Sequence, residues 1–159
     1  MRHSQQLVSL LSAVCLIAAA APAASAAPAG DACALLTPAE VGAALGVAVG
    51  AGSHVTPTFK RTCTWNATAS GGGTVTLMLQ DVGGFDGGKR LARMGGKNTT
   101  LTPVGGVGDD AYYLAIGSLV GIMVKKGNVA FKIAVYSRLP LDSLEAKEKA
   151  LAQKAAARL

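Results

Sequence analysis

Val75, Leu77 and Leu79 alternate with Thr74, Thr76 and Gln80, which predicts a strand over 74–81 with one face buried. The same period of two returns near the C-terminus over 111–116, 119–125 and 129–136. In the last of these Val129, Phe131, Ile133 and Val135 share a face. Gly117-Ser118 and Lys126-Gly127-Asn128 are short enough to be hairpin turns. Residues 60–67 also read as a strand, with Cys63 and Trp65 two apart on one face, so the indole is expected near the sulfur. Residues 50–58 read as a loop or an irregular strand.

Three segments carry helical signals. In Leu36-Thr37-Pro38-Ala39-Glu40-Val41 the threonine is placed to cap, proline is preset for the first turn, and Glu40 can reach back to the Thr37 amide. With Gly46 as the stop, a helix is predicted over 38–45, burying Val41, Ala44 and Leu45. Gly83, Gly84, Gly87 and Gly88 predict a loop, followed by a short helix over 89–94 with Leu91 and Met94 inward. The final helix, 142–158, has the stripe Leu144, Leu151, Ala155. The order is α-β-β-α-β-β-β-α, with room for an extra strand after helix 1 or before Gly105. Short turns between strands imply antiparallel pairing. The fold class predicted is α+β: a two-layer sandwich of a mostly antiparallel sheet, helices packed on one face, with one disulfide.

The first twenty-six residues are set apart from that pattern. Arg2 and His3 precede an apolar run from Leu7 to Ala20, shorter than the roughly 20 residues of a membrane span. Pro22 and then Ala24-Ser25-Ala26 complete a signal-peptide pattern. The expected division is a cleaved signal peptide at 1–26, the cut after Ala26 or a residue or two later, and one domain at 27–159. Of three cysteines, Cys15 lies in the apolar run and leaves with it, so Cys33 and Cys63 remain to pair in an oxidising compartment. Such a closure contributes roughly 3–4 kcal/mol in the chain-entropy view. Lipidation of Cys15 is the minor alternative, disfavoured by the β-branched Val14 before it. The formal charge is +6, one unit of it from Arg2, which gives a weak attraction to anionic envelope surfaces. No nucleic-acid motif accompanies that charge.

Little in the sequence announces chemistry. His54 is the single histidine after the signal segment, and no His/Cys run has ligand spacing, so neither a metal nor a cofactor is expected. The carboxylates over 81–86 and at 109–110 lack the order of a calcium loop. Ser53-His54 are neighbours in a glycine-rich loop without a nucleophile elbow, and adjacency is not triad geometry. Gly106-Val107-Gly108-Asp109-Asp110-Ala111 fits a loose dinucleotide pattern but opens a strand rather than a helix. Tyr112 and Tyr113 point to opposite faces of their strand, which makes at least one a candidate for an exposed contact. Lys89, Arg90 and Arg93, with Lys125, Lys126 and Lys132, could join into one basic binding surface.

At Cys33-Ala34-Leu35-Leu36-Thr37-Pro38-Ala39-Glu40-Val41, with Leu45-Gly46, Cys63-Thr64-Trp65 and the Val107-to-Tyr112 turn, the chain resembles small exported bacterial domains of unknown function. These are of the kind common among actinobacterial secreted proteins and lipoproteins. The resemblance rests on a disulfide, a cap and a turn, and implies no catalytic residues. The expected role is a non-enzymatic envelope module, exported by a Sec-type route to the periplasm, cell envelope or exterior. It would bind a partner protein or a small apolar ligand, with no nucleic acid and no stable membrane span. The alternatives are an unrecognised enzyme using Asp109 or Asp110, or an accessory subunit of an envelope complex.

Overall fold

The computed structural model describes residues 30–95 and 98–159, so the expected signal segment lies outside the described residues. A single 3-10 turn, Ala32–Ala34, leads to α1 (Pro38–Leu45), β1 (Ser53–Thr56), β2 (Phe59–Asn66) and β3 (Thr74–Asp81). Then come α2 (Val82–Met94), β4 (Thr99–Pro103), β5 (Asp110–Ile116), β6 (Leu119–Lys126), β7 (Val129–Tyr136) and α3 (Leu141–Ala156). The strands form one seven-stranded sheet in the order β1-β2-β3-β7-β6-β5-β4, antiparallel at every pairing. This is the α+β class read from the sequence. Both of the extra strands left open there are present, as β1 and β4. Among the described residues no helix is long and apolar enough to cross a membrane.

Local sequence builds α1 as read. The Thr37 amide donates to Glu40 Oε2 at 2.9 Å, the Glu40 amide donates to Thr37 Oγ1 at 3.3 Å, and Gly46 ends the helix at φ +78°. On the main face of the sheet Cys63, Trp65, Leu77, Phe131, Ile133 and Tyr113 meet Leu35, Leu36 and Val41 from the N-terminal segment and Leu144, Leu151 and Ala155 from α3. The C-terminal end of α3 clamps that segment. Arg158 donates to the Leu35 carbonyl at 2.7 Å and takes both Glu40 oxygens, at 2.8 and 3.0 Å.

One element departs from the reading. α2 begins at Val82, runs through all four glycines, and lies on the reverse face, where Phe85 packs with Tyr112, Met123 and Ala130. The reason is topological. The chain must cross β7, β6 and β5 to pass from β3 to β4 at the far edge, and α3 already covers the main face over β6 and β7. Asp81 caps α2 by accepting from the Gly84 amide at 2.7 Å. Gly88 is required there because a Cβ would run into the Tyr112 hydroxyl. Phe85 is the anchor, so Leu91 and Met94 are 51% and 77% exposed rather than inward.

Candidate functional site

The sheet is incomplete at one end. β7 pairs with β3 out to Tyr136 and β6 pairs with β5 out to Leu119, but β6 and β7 pair with each other only from Ile122↔Ile133 to Lys126↔Val129. The Val120 and Val135 stretches therefore lie side by side without ladder bonds. Glu148 of α3 enters the gap, and its Oε1 accepts the Val135 amide at 2.9 Å. The side chain is wholly buried, and Oε2 has no partner in hydrogen-bond geometry among the described residues. Burial pushes the Glu148 carboxyl up to about 7 against the opposing Val135 N–H, with the Glu145 charge adding to the rise. At the same end lies a cleft of about 410 Å³ lined by Leu119, Val120, Val135, Tyr136, Leu139, Leu141 and Leu144, with Arg138 among its walls. Leu119, Tyr136, Leu139 and Leu141 are each more than two-fifths exposed. Arg138 makes no ion pair among the described residues.

The disulfide marks a second locus. Cys33 and Cys63 are joined, with Cα atoms 5.0 Å apart, and the link ties the 3-10 turn to β2. The Cys63 sulfur and the Trp65 indole nitrogen each lie 2.7 Å from where a Cβ on Gly52 would stand, so the indole does pack beside the bridge. His54, the cross-strand partner of Cys63, places Nδ1 3.5 Å from Cys33 Sγ and 3.2 Å from the Thr62 carbonyl oxygen. Its Nε2 lies 3.4 Å from Asp31 Oδ1, which also accepts the Cys33 amide at 2.9 Å. Neither His54 nor Asp31 was distinguished as a site residue by spacing alone, since twenty-two positions separate them in the chain.

The residues singled out for an exposed contact stand differently from expectation. Both tyrosines are buried, Tyr112 at 1% and Tyr113 at 8% exposure, because each face of β5 is covered by a helix. Their hydroxyls donate to backbone carbonyls, Tyr112 to Phe85 at 2.7 Å and Tyr113 to Glu145 at 2.6 Å. Burial raises both phenols to about 12. Lys89 pairs with Asp110 and sits 4.9 Å from the Phe85 ring centroid. Asp110 is the cross-strand partner of Lys125, so Lys89 and Lys125 share the reverse face with Lys132, the partner of Met123. Arg90 and Arg93 are exposed on α2. Lys126 is instead engaged with Asp109, at 3.0 Å. The Gly127 amide, and then Lys126, hold the Asp109 carboxyl below the usual range, which makes it an anchor for the β6–β7 turn.

Glu148 and Arg138 were not anticipated. A signal for Glu148 exists, because it stands on the same helical stripe as Leu144 and Leu151, four residues after one and three before the other. Comparison with protein-family models, curated proteins and solved structures finds no match to this chain.

Proposed function

We propose that this domain is a non-enzymatic binding module of the cell envelope, and that its ligand is a small amphipathic molecule held at the opened end of the sheet. The apolar part enters the cleft between the Leu119–Val120 and Val135–Tyr136 stretches, and an acidic head meets Arg138. The observation that carries this reading is the cleft itself: four large apolar side chains remain exposed around a gap that ladder bonding would otherwise close. The signal-like N-terminus supports delivery to the periplasm, envelope or exterior, and the resemblance to small exported bacterial domains agrees with that compartment.

The test is native mass spectrometry and calorimetric titration with a long-chain fatty acid as the amphipathic anion. A one-to-one complex is expected. Leu119→Glu, at an exposed cleft wall, should weaken it at least about ten-fold, and Arg138→Glu should weaken it by a smaller factor. Affinity unchanged by both substitutions would overturn the reading, as would no binding by the wild-type chain.

A further inference from the structure

Asp31, Cys33 and His54 bring one donor atom each to within 4.8 Å of one another. While Cys33 is bonded to Cys63, neither sulfur is a thiolate, and thiolate is the form that binds metal. Broken, the same bridge supplies two sulfur donors beside an imidazole. We propose that the Cys33–Cys63 pair has a second state in which both thiolates and His54 Nδ1 hold a thiophilic cation of the Zn²⁺ or Cu⁺ type, Asp31 orienting the ring from behind.

The geometry favours this donor set. With metal–sulfur and metal–nitrogen bonds of about 2.3 and 2.1 Å, a tetrahedral site has a sulfur-to-nitrogen edge of about 3.6 Å. The Cys33 Sγ to His54 Nδ1 separation is 3.5 Å. Cys63 lies directly across from His54 in the β1–β2 pairing, so its sulfur reaches the same side. Asp31 Oδ1 faces the other ring nitrogen at 3.4 Å. Once the ring proton moves from Nδ1, which now faces the Thr62 carbonyl, to Nε2, Asp31 accepts it and Nδ1 is free to ligate. A carboxylate behind a ligating histidine is the usual second partner of such sites. The cation replaces the present contact of Nδ1 with the Thr62 carbonyl. His54 and Asp31 are each about one-fifth exposed, which gives the cation an entry path and leaves its fourth position to water.

The framework that aligns these donors does not depend on the bridge alone. Asp31 caps the 3-10 turn, Leu35 and Leu36 are buried behind it, and Arg158 ties the Leu35 carbonyl to α3. When a dithiol reductant opens the bridge, two electrons and two protons pass to Cys33 and Cys63 and the reductant becomes its own disulfide. The cation then displaces both thiol protons to solvent. Newly exported chain, not yet oxidised, is already in that dithiol form. Bridge and cation exclude each other, so occupancy protects the thiols from oxidation and oxidation expels the cation.

The experiment is anaerobic titration of the full mature chain with Co²⁺ after phosphine reduction, followed by displacement with Zn²⁺. One equivalent of Co²⁺ should give the visible bands of a tetrahedral, thiolate-bound ion, and the oxidised chain should give none. Asp31→Asn should lower affinity about 10-fold, and His54→Ala more. Both variants should fold normally with the bridge closed, which separates loss of a ligand from loss of fold. If reduction loosens the chain, Zn²⁺ should restore its circular dichroism. Absence of the tetrahedral spectrum, a spectrum indifferent to His54→Ala, or no recovery with Zn²⁺ would each overturn the proposal.

Discussion

Around β2, residues Thr62 to Asn66 all pair with β3, and Cys63 and Trp65 are wholly buried, while the polar groups His54 and Asp31 stay at the rim. At the β6–β7 end the ladder stops at Ile122↔Ile133, and a carboxylate is sunk into the interior to meet an amide the sheet leaves free. The first region spends its buried volume on apolar contact and a covalent link. The second places an ionisable group, one oxygen unmet, where a strand-to-strand bond would stand. Burying an unpaired polar atom is unfavourable by roughly 1–3 kcal/mol. That cost falls on the opened end and has no counterpart around β2 among the described residues.

The largest test of that contrast is Trp65→Ala. With the bridge intact, loss of a fully buried indole should lower stability by about 3–5 kcal/mol, read from the denaturant midpoint. A loss below about 1 kcal/mol would mean that the bridge, not packing, holds this corner.

Next comes the pH dependence set by Glu148. Its carboxyl ionises at an ordinary value of 4.5 when unfolded and about 7 in the fold. Over that interval the native state holds the extra proton, so stability is full below pH 4.5 and declines as pH rises through about 7. The decline expected is about 3 kcal/mol in denaturant titrations across that range. Glu148→Gln should flatten the curve. A wild-type profile that rises instead would show a partnered, ionised carboxylate, and the two regions would no longer differ in kind.

Arg158→Ala sharpens the comparison on the bridged side and is the smallest effect. Arg158, through its hydrogen bonds above all, holds the Glu40 carboxyl down to about 2. That stability is present above the ordinary pH of 4.5 and lost as pH falls towards about 2. Both partners retain about a fifth of their exposure, so solvent screening limits the loss at neutral pH to about 1–2 kcal/mol. The acid limb of the unfolding curve should flatten at the same time. No change in either would mean that the bridge and the buried Leu35 and Leu36, not the Arg158 contacts, hold the N-terminal turn to the rest of the molecule.

Much of the fold was legible because its signals are local. The Thr37–Glu40 capping box, the alternation through β3 and β7, and the glycine turns each act within a few residues, and each stands where it was read. α2 was misread for the same reason. Four glycines in seven residues speak against a helix by propensity, while the contacts that reward one, Phe85 with Tyr112 and Met123, come from strands far along the chain. The tyrosines failed as exposed contacts because alternation gives opposite faces but not which faces are covered.

The sequence by itself determined five of the strands with their antiparallel turns and the capped first helix, since each follows from backbone preference or side-chain period, and the expected Cys33–Cys63 pair is present. Tertiary structure decided the rest. It set α2 on the reverse face, placed Glu148 in the gap between β6 and β7, and brought His54 and Asp31 to the Cys33 sulfur. Those arrangements depend on which distant segments compete for the same space, and no local pattern carries that information.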